Sequence, residues 1–286
     1  MADKVAVVTD SIACLTRELV EQYGVAIMPL NFHFGGKVYR DWVDITPSEA
    51  YELFLKGPDS FKTSSVSPGE ALEAYRGVSK RAESIFCVTV SSKISAVYNV
   101  ALEAKEQVRA ELPQISIEVL DSETCAAAEG FIALAAARAA VEGKGLAEVV
   151  KAAEEMRDKV TFFIFLDTIR HVYRSGRIPK IASQAGSILN IKPILTTSSG
   201  VLHFVGVARS KKGGLEKLIK MMRGKVGPNP VHVAVTHAYA LEDAEMLKER
   251  ISSEFNCTEL WITEFSPLMG YACGTGALGI AFYSGD

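Results

Sequence analysis

The stretch Ser84-Ile85-Phe86-Cys87-Val88-Thr89-Val90-Ser91-Ser92-Lys93-Ile94-Ser95-Ala96 holds the three parts that decide the fold. Ser84 to Val90 is a run rich in β-branched and aromatic residues, the pattern of a strand buried on both faces. Ser91 to Ser95 is a hydroxyl-rich turn, and Ala96 to Arg109 keeps helical spacing. Strand, polar turn and helix in that order make one unit of a parallel sheet with helical crossovers. A turn that opens such a helix offers unpaired backbone N–H groups and the positive end of the helix dipole to a carboxylate or phosphate.

A second turn of the same kind lies upstream, Thr63-Ser64-Ser65-Val66-Ser67-Pro68. Ser67-Pro68-Gly69-Glu70 reads as a capping box with proline at the first helical position. The two turns are expected to form one anion site at the edge of the sheet where α/β proteins bind ligands.

Further from this centre, Val5 to Thr9 is an apolar run ending in Asp10-Ser11, followed by a helical pattern that stops at Gly24. Thr46-Pro47-Ser48-Glu49 is another capping box, opening a helix that should end at Gly57-Pro58. Ile115 to Leu120 reads as a strand running into Asp121-Ser122, and the alanine-rich stretch from Thr124 to Val141 as a close-packed helix. A helix follows from Leu146 to Arg157, and a strand opens at Thr161. Lys192 to Leu195 and Gly200 to Phe204 suggest a hairpin. Strands at Val231 to Thr236 and Thr258 to Phe265 flank a charged helix from Leu241 to Ser252. The expected fold is α/β in two lobes with a ligand between them. Residues 1–160 form a larger parallel-sheet α/β lobe, and residues 161–286 a smaller mixed α/β lobe.

Composition narrows the function. The 286 residues are 48% hydrophobic, enough for a sizeable core, and carry a net charge of −3 with both signs interspersed. That balance gives no electrostatic footprint for nucleic acid. Met1 to Val8 lacks the basic and apolar segments of a signal peptide, so a cytoplasmic location is expected. Five cysteines lie far apart with no C-x-x-C pair, which argues against a disulfide framework or a zinc site. Phe265 to Tyr283 is uncharged, but Pro267, Gly270, Gly274, Gly276 and Gly279 interrupt it, so a membrane span is not expected. Gly274-Thr275-Gly276-Ala277-Leu278-Gly279 fits G-x-G-x-x-G formally but follows no strand pattern. Asp10-Ser11 and Asp121-Ser122 are discounted as acid and nucleophile pairs, because no nucleophile elbow or P-loop accompanies them.

Taken together the motifs resemble the DegV family, bacterial fatty-acid-binding proteins that include the lipid-binding subunit of fatty acid kinase. The matching pieces are Val8-Thr9-Asp10-Ser11, Thr63-Ser64 with Ser67-Pro68, Ser91-Ser92 with Ile94-Ser95 and Tyr98, Asp121-Ser122, Gly176-Arg177-Ile178, Lys192-Pro193-Ile194-Leu195 and Gly274 to Gly279. Their order covers nearly the whole chain. The resemblance implies a long-chain fatty acid such as palmitate buried between the lobes, no other cofactor, no enzyme activity, and presentation of the acid to a fatty acid kinase catalytic subunit. It implies that Thr63 and Ser95 hold the carboxylate, with Ser64, Ser92, Ala96, Arg177 and Ala272 around them. Hydroxyls beside helix amides suit a carboxylate without a buried cation.

The sequence departs from the family at four points, two of them Val66 and Thr275 where the family carries proline. Ala272 stands where the family carries a histidine near the head group, and Ala96-Val97 replaces Gly-Thr. With no imidazole at 272, affinity is expected to stay flat from pH 6 to pH 8. Arg177 has two readings, a partner for the head group or a surface ion pair, and Arg209 lies on an exposed basic run that suits a docking patch. The alternative for the whole chain is a small-molecule hydrolase or transferase with Ser92 or Ser95 as nucleophile, which requires a base within hydrogen-bond reach.

Overall fold

The computed structural model describes residues 4–178 and 191–285. Its first sheet is wholly parallel, in the order β2 (Ala26–Met28), β1 (Val5–Asp10), β6 (Ser84–Thr89), β7 (Ser116–Asp121). β1 and β6 are buried along their entire length, which is why their sequences are unbroken apolar runs rather than alternating ones. β7 is an edge strand, and only Ile117 and Leu120 of it are buried.

Helix α3 (Pro68–Ser79) precedes β6, and α4 (Val97–Glu111) follows it; the two helices pack on each other. Both return the chain between parallel strands, so both run opposite to the strands. Their N-termini, and the two serine and threonine turns that lead into them, therefore lie at the same C-terminal edge of the sheet.

The second sheet has six strands in the order β10 (Val201–Ala208), β9 (Lys192–Ser198), β8 (Thr161–Phe165), β13 (Leu278–Ser284), β11 (Val231–His237), β12 (Cys257–Glu264). Only β11 and β12 pair in parallel, so this sheet is mixed, as expected. A third, antiparallel sheet of β4 (Lys37–Arg40), β3 (Asn31–Phe34) and β5 (Lys62–Ser64) is an addition to the sequence reading.

One helix joins the two larger sheets. α5 (Ala126–Val141) packs on β1 and β6 on one side and on β8, β11 and β13 on the other, and seven of its sixteen residues are buried alanines. Small side chains let the backbones of both sheets approach this helix, the close packing that its composition predicts. The main core is accordingly continuous across both sheets, from Val5 and Phe86 to Phe162 and Phe265.

The small sheet is fixed by α2 (Pro47–Lys56) and α10 (Pro267–Cys273). Tyr51 of α2 is buried, and its hydroxyl donates to Phe265 O at 3.0 Å. The ring lies directly over Gly270: a Cβ there would sit 2.0 Å from Tyr51 Cε1. Gly270→Ala is therefore expected to destabilise the protein by about 2–3 kcal/mol through overpacking. A thermal midpoint equal to wild type would contradict this packing.

Candidate functional site

The first turn continues β5. Register pairs Thr63 with Phe32 and Ser64 with Asn31. Side chains alternate across a strand, so Thr63 shares the face of Phe32, and Ser64 points to the other side. Phe32 stacks on Phe61 at 4.6 Å, and Phe61 lies 6.1 Å from the ring of Tyr271 on α10. Thr63 therefore looks toward the face of the sheet that α10 covers. Ser64 Oγ instead meets His33 Nε2 at 3.1 Å on the outer face. The Thr63 and Ser64 hydroxyls therefore lie on opposite faces of β5. The turn also holds a group that the sequence reading passed over: Ser65 Oγ is buried without a partner among the described residues. Its identity was plain in the sequence, but burial of one hydroxyl among four has no sequence signal.

Thr63 caps no helix. The N-cap of α3 is Ser67, which accepts from Glu70 N while the Glu70 carboxylate accepts from Ser67 N at 2.8 Å, the capping box expected. Thr63 is half-buried, and its hydroxyl has no hydrogen-bond partner among the described residues.

The second turn is organised by carboxylates behind it. Asp121 accepts from Ser92 N at 3.2 Å and from Glu123 N at 2.9 Å. Asp10 accepts from Val90 N at 2.8 Å and Ile12 N at 2.9 Å, so both Asp-Ser pairs hold backbone in place. Ser91 Oγ donates to Gly200 O at 2.8 Å and Lys93 Nζ to Ser199 O at 2.8 Å, which seats the tip of the β9–β10 hairpin on the turn. The side chains of Ser92 and Ser95 are left, both half-buried. Ser95 N donates to Ser91 O at 3.0 Å, but neither hydroxyl has a partner among the described residues.

Helix α4 starts one residue later than the spacing predicts, with Ala96 as N-cap and no side-chain cap. The first helical bond runs from Val100 N to Ala96 O at 3.1 Å, so the amides ahead of Val100 carry the unsatisfied donors of a helix start. An uncapped N-terminus beside a free hydroxyl can hold a carboxylate through dipole and N–H donors together. Ala96 itself is exposed and contributes backbone only.

Ala272 is half-buried on α10, the helix that packs on β3 and β5. Arg177 is exposed, and its guanidinium donates to Ser175 O just past α7 (Arg170–Ser175). That contact is local, and the structure gives Arg177 no carboxylate partner among the described residues. Arg209 is exposed at the end of β10, and the basic run continues into α8 (Lys211–Val226).

The formal G-x-G-x-x-G at Gly274 to Gly279 lies between α10 and β13, helix before strand. That is the reverse of the order in which glycines cradle a dinucleotide. A cavity of about 960 Å³ opens at the ends of β8, β11 and β12, lined by His237, Tyr239, Lys211 and Glu264, and none of the predicted site residues borders it. His237 Nδ1 accepts from Ala240 N at 3.3 Å, and burial pushes the imidazole down to about 4, so it is neutral at physiological pH. No group of three metal-ligating side chains is found among the described residues. No described helix is long and apolar enough to cross a membrane.

These features fall in a known class: residues 4–285 match the family described as "Uncharacterised protein, DegV family", and the chain belongs to the DegV family. DegV domain-containing proteins of Caldanaerobacter subterraneus and Clostridium perfringens are 30% and 31% identical, over 98% and 97% of this chain and 99% and 98% of theirs. Among solved structures, the chain is similar to DegV of Bacillus subtilis, described as a fatty acid binding protein. The TM-score is 0.90 at 28% identity, covering 99% of this chain and 100% of that one. A DegV family protein of Thermus thermophilus, described for its fatty acid binding, gives a TM-score of 0.88 at 26% identity over 98% of this chain and 99% of that chain.

Proposed function

We propose that this protein is a non-enzymatic carrier that holds one long-chain fatty acid, with its carboxylate at the α4 N-terminus and its acyl chain between the lobes divided at residue 160. One observation carries the reading. Thr63 and Ser95, in the two turns that share an edge of the parallel sheet, keep their hydroxyls free while other residues, or none, cap the neighbouring helices. A fold shared at 26–28% identity with proteins described as binding fatty acids supports the ligand class. Within this proposal Ser92, Ser65 and the backbone of Ala96 surround the head group, Ala272 forms an apolar part of its wall, and Arg177 stands outside it.

The absence of a base on either serine supports a carrier over a hydrolase: no His, Asp, Glu or Lys side chain bonds Ser92 Oγ or Ser95 Oγ among the described residues. Release of the acid to a fatty acid kinase catalytic subunit in the cytoplasm is the outer step of the proposal, supported by the family resemblance. Acyl phosphate formed by such a kinase only when this chain is present tests that step.

Chain length tests the binding itself. Each buried methylene contributes about 0.8 kcal/mol, so an acid of sixteen carbons is expected to bind the delipidated protein at least about a thousandfold more tightly than one of eight. Equal affinities would place the tail in water and contradict a buried acyl chain.

A further inference from the structure

β11, α9 (Leu241–Glu254) and β12 form a strand–helix–strand crossover with its two strands parallel, and the cavity of about 960 Å³ opens at the carboxyl ends of those strands. That is the edge at which α/β sheets hold ligands. His237, the last residue of β11, is only 5% exposed and lines the cavity. Its Nδ1 accepts from Ala240 N, so the neutral ring carries its proton on Nε2, and that donor has no partner among the described residues. A buried N–H left in this way calls for an acceptor from outside the chain.

Charge decides the kind of ligand. Four carboxylates line the cavity, those of Asp167, Glu242, Asp243 and Glu264. Lys192 bonds Asp167, and Lys211 bonds Asp243 at 2.6 Å, so two of them are neutralised. Glu242 and Glu264 have no lysine or arginine partner among the described residues. Glu264 is half-buried, held by Ser48 Oγ at 2.6 Å and the Tyr239 amide, and burial raises its carboxyl above the ordinary range. Glu242 and Asp243 stand in the first turn of α9, which has no side-chain cap, and so they take the end of its dipole that an anion would use. The cavity therefore suits a cation and repels an anionic lipid surface.

Its rim is apolar. Leu55 of α2, Tyr239 and Leu241 are 52%, 43% and 51% exposed, and all three line the cavity. Large apolar side chains left in water around one cavity mark a contact with another protein. Tyr239 is held at φ +51°, a left-handed backbone that tyrosine rarely adopts, and its ring lies 5.9 Å from that of Tyr51. Such strain is kept where the surrounding structure fixes a side chain for use.

We propose that this cavity docks a basic peptide segment of a partner protein, with an arginine or lysine between Glu242 and Glu264 and a peptide carbonyl accepting from His237 Nε2. Apolar side chains flanking the basic one lie on Tyr239, Leu241 and Leu55. This docking goes beyond the fatty-acid reading, since none of the residues assigned to the carboxylate borders the cavity.

The test is fluorescence anisotropy of a labelled peptide alternating arginine and leucine, titrated with the full chain at low salt. Wild type is expected to bind it at least about tenfold more tightly than the same peptide with glutamate for arginine. Glu264→Gln and Tyr239→Asn should each weaken the arginine peptide about tenfold. Glutamine keeps an acceptor for Ser48, and asparagine adopts the left-handed backbone, so both variants should hold their thermal midpoints within a few degrees and bind fatty acid like wild type. A wild type that does not bind the arginine peptide, or variants that bind it unchanged, overturns the proposal. Loss of fatty-acid affinity in both variants would place the cavity in the fatty-acid site and overturn it too. So would a dimer in sedimentation that Tyr239→Asn dissolves, because a second copy would then fill the cavity.

Discussion

Thr63→Ala and Ser95→Ala are each expected to weaken fatty-acid binding about tenfold or more, because a hydrogen bond to a charged acceptor is worth about 1.5–3 kcal/mol. The double variant should lose about a hundredfold if the two hydroxyls act on separate lone pairs of one carboxylate. Thermal stability should stay at the wild-type value in the ligand-free state. Ser67 caps α3, and α4 has no side-chain cap, so neither substitution removes a helix cap, whose loss would cost about 1 kcal/mol. Ser198→Ala, in the β9–β10 hairpin, is the control that leaves affinity unchanged. Measured by titration of delipidated protein, unaltered affinity in both single variants would mean that the two turns serve only the fold.

The second large effect is on stability against pH. Asp10 and Asp41 are fully buried, and burial raises each from an ordinary 3.8 to about 6. Asp10 is partly compensated by the Val90 and Ile12 amides, and Asp41 by Ser266 Oγ at 2.6 Å. Glu129, equally buried, is held well above the carboxylate range by burial first and by the charge of Asp10 second, with Thr9 Oγ1 donating to it at 3.2 Å. Each group binds a proton more tightly in the folded protein than in the unfolded chain. For the two aspartates that contribution to stability is complete below about pH 3.8 and is lost as pH rises through about 6, at up to about 3 kcal/mol each.

Opposing carboxylates are on the surface. Asp44 beside Arg40 and Glu111 beside Arg76 are held low, so their contribution is present above about pH 4.5 and lost below it. Exposed pairs of this kind contribute little. The thermal midpoint is thus expected to peak near about pH 5 and to fall by several degrees toward pH 7.5. In Glu129→Gln, which keeps an acceptor for Thr9 and cannot ionise, the fall should be smaller. A midpoint that rises steadily from pH 5 to pH 7.5 would show that the buried carboxyls are ionised at little cost.

The parallel sheet was legible because strands buried on both faces leave apolar runs that no surface constraint interrupts, as at Val5 to Thr9 and Ser84 to Val90. Helix starts were legible wherever a capping box stood, at Thr46 and Ser67, and there the boundary fell on the residue expected. β3, β4 and β5 were not, because each is three or four residues of mixed polarity and owes its place to the stack of Phe32, Phe61 and Tyr39. α8 escaped notice because Gly213 and Gly214 sit in its first turn; Gly214 packs under the ring of Phe165, a tertiary reason that local propensity cannot reveal.

The site divided in the same way. Two hydroxyl turns before two helices could be read in order, and the topology brings them to one edge. Which hydroxyls are free could not be read, since that depends on partners distant in sequence: Gly200 for Ser91, Asp121 for the Ser92 amide and His33 for Ser64.

The most direct measurement is mass spectrometry of an organic extract of the protein purified without added lipid, with the extracted acid quantified against protein. About one equivalent of long-chain fatty acid per chain is the result predicted, and delipidated protein should regain that equivalent from a supplied acid with its carboxylate free. An extract with no fatty acid, from a protein that also takes up none after delipidation, would contradict the proposed function.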